Sequence, residues 1–121
     1  MTPPKLILRG WPQSTADVAR QSGCMPHAAR VALEAEVAAG RIVKRSDLLS
    51  DEWMWRDVRR GDLRYRVESF DRVSVTYRTW VGNGWSDTRT IVRASWIALT
   101  SPGWVGPGHA APGWASADGE R

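Results

Sequence analysis

The spacing of apolar residues changes once along the chain, near residue 45. Before this point, apolar residues recur three or four positions apart, as on the buried face of a helix. The clearest set is Ala29, Ala32, Leu33 and Val37. From about residue 53, apolar and polar residues alternate, which is typical of strands with one buried face. The pattern predicts an α+β fold, with helices first and an antiparallel sheet second. The alternating segments are LRYRVES (63–69), RVSVTYRTWV (72–81) and SDTRTIVRASWIAL (86–99).

Three helices are predicted in the first segment, residues 1–46. Pro3 and Pro4 suit the first turn of a first helix, where a missing N–H does no harm, and Leu6–Leu8 follow as an apolar patch. Ser14 or Thr15 can cap a second helix, because a side-chain oxygen accepts a hydrogen bond from a free N–H of the first turn.

Glycines mark the ends of the second and third helices. Gly23 follows the second helix, as glycine often does at a helix C-terminus. Pro26 begins the third helix and Gly40 ends it. Ile42 and Val43 lie between basic residues, so we expect a short strand with basic edges there.

This order of elements resembles the winged helix-turn-helix family over residues 3–45. The matching pieces are STADVA (14–19), SG (22–23), PHAARVAL (26–33) and AGRIVKR (39–45). The resemblance implies a three-helix domain in which the helix at 26–39 enters the major groove of duplex DNA and a basic wing follows the phosphates. The same fold can also serve only for packing or dimerisation. The residues expected to contact DNA are His27, Ala28, Arg30 and Val31 of the helix, with Arg41, Lys44 and Arg45 of the wing.

The second segment, residues 63–100, is predicted to form a small antiparallel β-meander or an SH3-like barrel. Asn83-Gly84 is a strong signal for a two-residue hairpin turn. That turn would place Tyr77 opposite Thr90, and it keeps one face apolar and the other polar. A three-residue loop would place Tyr77 opposite Arg89 and mix the faces, so we prefer the first register. Residues 47–62 are a linker or a first strand.

The polar face of this sheet is predicted to be rich in arginine beside an exposed tryptophan. Guanidinium groups next to an aromatic ring suit a phosphate and a stacked base. The face is therefore a possible second surface for an anion or a nucleic acid, although an ordinary solvated face would have the same composition. The residues concerned are Arg64, Arg66, Arg78, Trp80, Arg89 and Arg93.

The last segment, residues 101–121, contains many Pro, Gly and Ala residues and is predicted to be flexible. It carries the triplet PGW twice, which places Trp104 and Trp114 in otherwise small surroundings. Exposed tryptophans of this kind favour a motif that binds a protein partner. A strap that packs back on the sheet is the alternative.

Composition and charge limit the kinds of site that the chain can form. The chain has 121 residues and a formal net charge of +4, which is compatible with nucleic acid. Cys24 is the single cysteine, so there is no internal disulfide, and Cys24, His27 and His109 are too few for a metal site. We expect no cofactor and no catalytic activity. With no signal peptide or spanning segment expected, we place the protein in the cytoplasm and away from membranes.

Two functions follow from these observations. The first is a small non-enzymatic DNA-binding protein, either a transcriptional regulator or a phage accessory factor, which binds double-stranded DNA. The abundance of Arg, Ala, Gly and Trp suggests GC-rich coding, as in an actinobacterium or its phages. The alternative is a protein-interaction module, such as a phage inhibitor or virion component, in which the helices are only a scaffold. Either function allows a homodimer or a protein partner.

Overall fold

The structure is a computed structural model that describes residues 4–60, 62–100 and 104–105, with only the backbone described at residues 60, 104 and 105. The helices in this part of the chain are α1 (Thr15–Ser22), α2 (Pro26–Ala38) and α3 (Arg93–Thr100). The strands are β1 (Gln13–Ser14), β2 (Ile42–Ser46), β3 (Asp51–Trp55), β4 (Asp57–Arg60), β5 (Leu63–Phe70), β6 (Ser74–Thr79), β7 (Arg89–Val92) and β8 (Trp104–Val105).

The strands form two antiparallel sheets. The first sheet has three strands in the order β1-β3-β2, and the second has five strands in the order β7-β6-β5-β4-β8. The fold is α+β and mostly sheet, but it is not the arrangement that the sequence predicted. In the described residues the second sheet is open, since its edge strands β7 and β8 are not paired with each other, so the barrel is not formed.

The prediction of a first helix near Pro3 and Pro4 is wrong. The described residues from 4 to 12 contain no helix, and Leu6 and Leu8 are buried while Ile7 between them is exposed. This alternation is that of an extended chain. The stretch between Pro4 and Gly10 is short, and a helix of so few residues is not stable by itself. The described residues therefore do not form a three-helix N-terminal winged helix-turn-helix.

The other two helices lie where the local signals place them. Ser14 caps α1, because its hydroxyl accepts a hydrogen bond from the N–H of Asp17 at 3.1 Å. Gly23 ends α1 with a φ of +69°, and Pro26 opens α2. The buried residues that pack the two helices on the first sheet are Val18 and Ala19 from α1, with Ala29, Ala32 and Leu33 from α2.

The preferred register of the last hairpin is also wrong. Tyr77 pairs with Arg89, which is the register that the sequence analysis rejected. The N–H of Val81 donates to the carbonyl of Gly84 at 2.9 Å, so the turn is centred on Gly82 and Asn83. Gly82 has a φ of +96°, a conformation that glycine adopts without steric cost. The turn therefore uses the glycine before Asn83. Trp80 pairs with Trp85, two positions before its partner in the predicted register, and the pairs between β6 and β7 shift by one residue.

The third predicted strand ends early and becomes α3. Strand β7 stops at Val92, and Arg93 begins the helix. Trp96 of this helix is fully buried against the second sheet, with ring centroids 5.8 Å from Tyr65 and 5.1 Å from Tyr77. The sheet thus has one face covered by α3 and one face that carries the polar side chains.

A single buried cluster joins both sheets and all three helices. Three buried indoles within it have their N–H groups satisfied by distant parts of the chain. Trp53 donates to the hydroxyl of Thr15 at 2.8 Å, and Trp96 donates to the carbonyl of Gly10 at 2.6 Å. Trp55 donates to the carbonyl of Leu8 at 3.4 Å. None of the helices in the described part of the chain is long and apolar enough to cross a membrane.

Candidate nucleic-acid interfaces

The first candidate surface is the outer side of α2. His27, Arg30 and Val31 are exposed on it, and the Val31 side chain is 58% exposed, while Ala28 is half-buried. Met25 precedes the helix and supplies no side-chain cap. The structure therefore leaves the N-terminal half of α2 open, as a groove-reading helix requires.

The cations beside this surface are engaged with carboxylates. Arg30 forms an ion pair with Asp51, and the Lys44 ammonium lies 2.7 Å from the Glu34 carboxylate. The same two cations lie over the ring of Trp53, at 5.9 Å and 5.0 Å from its centroid. Hydrogen bonds from Ser46 and then Arg30 lower the pKa of Asp51, so it stays ionised. The surface is close to neutral where the sequence analysis expected a positive one.

Arg41 lies at the end of α2 and is paired in the same way. Its Nε and Nη2 atoms donate to the two carboxylate oxygens of Glu36, at 2.5 Å and 3.0 Å. The pair is exposed, so it contributes little stability and can open. Arg41 can therefore bind a phosphate only if it first leaves the Glu36 carboxylate.

Arg45 has a structural role. Its side chain is only 13% exposed, and it donates to Glu52 and to Asp47. Arg93, at the start of α3, binds the Glu52 carboxylate, and Arg72, in the loop between β5 and β6, binds that of Asp47. We call this group of five, Arg45, Asp47, Glu52, Arg72 and Arg93, the Glu52 cluster. Arg72 lies 25 residues from Asp47 and Arg93 lies 41 residues from Glu52, so no local signal identifies these two pairs.

The hairpin between β2 and β3 ends in an exposed apolar tip. Leu48 is fully exposed and Leu49 is largely so. The Asp47 carboxylate fixes the turn by accepting hydrogen bonds from the N–H groups of Leu49 and Ser50, at 2.7 Å and 3.0 Å. Hydrogen bonds from Arg72 and Arg45 hold the pKa of Asp47 far below its usual range. The tip is thus a fixed apolar projection beside α2.

The second candidate surface is the polar face of the second sheet. Side chains that are opposite each other across strands form two rows on it. One row runs Asp57–Arg66–Arg78, and each arginine in it has a carboxylate, since Arg66 pairs with Asp57 and Arg78 with Glu68. The other row has two arginines followed by two tryptophans. We call it the arginine–tryptophan row: Arg59, Arg64, Trp80 and Trp85.

Arg64 is the unusual member of this row. Its Nη1 atom is buried and has no hydrogen-bond partner. Arg59 lies directly opposite it on β4, so two like charges are neighbours. On the other side of Arg64, the backbone N–H of Trp80 donates to the Arg64 carbonyl at 2.9 Å. A buried unpaired guanidinium nitrogen is costly, so this position requires an explanation.

The tryptophans complete the row. The ring centroids of Trp80 and Trp85 lie 5.2 Å apart at 71°, and both residues are half-buried. Arg66 lies over the Trp85 ring, with its Cζ 4.6 Å from the centroid. Aromatic rings and guanidinium groups therefore share one continuous patch.

Two of the arginines predicted for this face lie elsewhere. Arg93 belongs to the Glu52 cluster. Arg89 is opposite Tyr77, whose side chain is on the buried face, so Arg89 lies at the margin of that face. Both corrections follow from the shifted register and the early end of β7. Arg59, which lies on β4, is not among the residues predicted for this face.

The predicted tail is described only in part. Trp104 belongs to β8, which pairs with β4 through Arg60 opposite Trp104. The flexible tail, and the choice between a strap and a partner motif, stay predictions. Trp114 lies outside the described residues. Among the described residues, no group of His, Cys, Asp or Glu is arranged to hold a metal ion. No family model, curated protein or solved structure matches the chain.

Proposed function

We propose that this chain is a small, non-enzymatic DNA-binding protein of the cytoplasm, and that α2 with the β2–β3 hairpin contacts the duplex. The observation that supports the proposal is the open N-terminal half of α2. The turn at Gly23 holds α1 behind α2, and the hairpin lies beside α2 through the Arg30–Asp51 pair. The proposed contact therefore rests on two helices and one hairpin, α1 with α2 and β2 with β3.

The ion pairs determine how such binding would work. Each phosphate contact by Arg30, Arg41 or Lys44 requires the cation to leave a carboxylate. The carboxylate that remains is then repelled by DNA. Because non-specific affinity comes mainly from phosphate neutralisation, the duplex affinity should be modest and should depend weakly on salt. Base contacts from His27 and Arg30 should carry more of the binding than the wing does.

A variant that binds duplex DNA more tightly tests the proposal better than a variant that binds it less tightly. Asp51→Asn removes the partner of Arg30, and we expect duplex affinity to rise about threefold, which is the value of one exposed ion pair. Arg30→Ala should lower it about tenfold. Anisotropy of a labelled random duplex, at about 50 mM and about 200 mM salt, measures both.

The matched control is Glu68→Gln, which removes one negative charge and releases Arg78 on the second sheet. It should leave duplex affinity unchanged if the contact lies on α2. An equal rise in Asp51→Asn and Glu68→Gln would show that only net charge matters. No binding by the wild type and no gain in Asp51→Asn would rule the duplex contact out.

The second candidate function is a protein-interaction module, with the helices as a scaffold and the contacts made by the exposed Arg and Trp surfaces. The observation that favours it is the fixed hairpin tip, where Leu48 and Leu49 are exposed without any apolar cover. Leu48→Ser with Leu49→Ser should abolish pull-down of a protein partner and leave the fold intact. An unchanged pull-down would remove the tip from this candidate.

A further inference from the structure

We propose that the arginine–tryptophan row binds single-stranded nucleic acid, with Arg64 contacting a phosphate and Trp80 stacking on a base. The site uses none of the residues proposed for the duplex contact. It therefore constitutes a second activity, which can be present or absent independently of the first.

The charge of the face is the first reason. Its strand positions carry four arginines (Arg59, Arg64, Arg66 and Arg78) and the carboxylates of Asp57 and Glu68. Those two carboxylates are already bound to Arg66 and Arg78. The arginines at these strand positions therefore outnumber the carboxylates at them, and such a face suits an anion.

The state of Arg64 is the second reason. A guanidinium group has five donors, and a buried donor without a partner costs free energy in the unbound protein. In Arg64 the buried donor without a partner is Nη1. An arginine kept in this position is suited to a phosphate, because the donors of the planar guanidinium match phosphate oxygens in pairs.

The order of residues along the row is the third reason. Adjacent strands lie about 4.8 Å apart, so the four residues span roughly 14 Å from guanidinium groups to indoles. A single strand presents phosphates and bases side by side along its length, and each base has a face that can stack on an aromatic ring. An acidic peptide would use only the charged half of the row. Bases inside a duplex have their faces covered, so duplex DNA would also leave the indoles unused.

The test is binding of a fluorescein-labelled oligo-dT of about 15 nucleotides, within the site sizes of single-strand-binding folds. The full chain is titrated in about 50 mM salt, with unlabelled polyphosphate as competitor. We expect Arg64→Met to weaken binding at least tenfold and Trp80→Leu to weaken it at least fivefold. The matched control is Arg20→Met, which removes one positive charge from an exposed pair on α1 and should change binding less than twofold.

The outcomes separate the alternatives. Selective loss in Arg64→Met and Trp80→Leu supports the proposal. Wild type that does not bind oligo-dT, or that binds an acidic protein and not oligo-dT, overturns it. Full displacement by polyphosphate with no effect of Trp80→Leu also overturns it, because the row would then be only an anion site.

The same variants keep this proposal distinct from the duplex contact. Arg64→Met should leave duplex affinity unchanged, and Asp51→Asn should leave oligo-dT affinity unchanged. A thermal melt of each variant shows that it is folded. If Trp80→Leu is unfolded, Trp80→Phe replaces it, and we expect Trp80→Phe to keep most of the oligo-dT binding while Arg64→Met loses it. Loss of oligo-dT binding in both Asp51→Asn and Arg64→Met would overturn the separate site.

Discussion

The carboxylate of Glu52 is held by both terminal nitrogens of Arg93, with Nη1 3.0 Å from Oε2 and Nη2 2.6 Å from Oε1. Glu52 lies on the first sheet and Arg93 begins the last helix, 41 residues later. Arg45 donates to the same carboxylate from the adjacent strand. One acidic residue thus links the first sheet to the start of α3.

Glu52→Gln should destabilise the fold by about 1–3 kcal/mol, because it leaves two largely buried arginines with one carboxylate fewer. Urea unfolding followed by tryptophan fluorescence measures the change. Glu68→Gln, which breaks an exposed pair, should cost less than about 0.5 kcal/mol. Equal losses in the two variants would show that Glu52 is no more than a surface partner.

The pH dependence of stability should follow from the same cluster. Hydrogen bonds from Arg93 and then Arg45 lower the pKa of Glu52 from 4.5, and Arg72 and Arg45 lower that of Asp47. Because the folded pKa lies below the unfolded one, this stability is complete above the unfolded pKa and is lost as the pH falls toward the folded pKa.

The advantage of the wild type over Glu52→Gln should therefore shrink when the pH is lowered from about 6 to about 3. Urea unfolding at several pH values measures that difference in the free energy of unfolding. A difference that stays constant over this range would mean that the Glu52 carboxylate has its ordinary pKa in the folded protein.

Arg64→Met should stabilise the unbound protein by about 1 kcal/mol, because it removes an unpaired buried donor and a charge opposite Arg59. Thermal unfolding without ligand checks the prediction. The control Arg78→Met removes an arginine that has a carboxylate partner, and it should not stabilise. A loss of stability in Arg64→Met would mean that its guanidinium is well accommodated.

Gly82→Ala should destabilise by about 1 kcal/mol, while Gly84→Ala should be neutral or slightly stabilising. A Cβ at either position has no atom within 4 Å, so packing does not separate them. Only Gly82 has a positive φ, at +96°. Comparison of the two melting temperatures therefore measures the conformational cost alone. The opposite order would place the turn at Asn83-Gly84.

The features that sequence reasoning found depend on neighbouring residues. The cap at Ser14, the stop at Gly23 and the proline at the start of α2 each act within a few positions, so their signals are local. The register of the last hairpin was missed because two glycines flank Asn83. Which one takes the positive φ is decided by the packing of the strands, not by the tripeptide.

The candidate surfaces could be predicted only in part, because local signals do not show contacts between distant residues. Alternation placed Arg64, Arg66, Arg78 and Trp80 on one face, and the strands β5 and β6 do so. Whether a cation is free depends on carboxylates that lie far away in sequence: Asp51 is 21 residues from Arg30. The alternating pattern also continues past Val92, where α3 begins, so the sequence predicted a longer strand. The pattern did not distinguish the two because Trp96 can pack from a helix as well as from a strand.

The hydrogen bond from the Trp96 indole to the Gly10 carbonyl has a consequence for how the chain is made. It joins residues 86 positions apart, and the segment with Leu6 and Leu8 is buried only when such distant partners are in place. On the ribosome, residues 6–10 must therefore wait for the residues of α3 before they are buried. Folding should complete only after the synthesis of α3, and a nascent chain that is stopped before Trp96 should remain sensitive to protease.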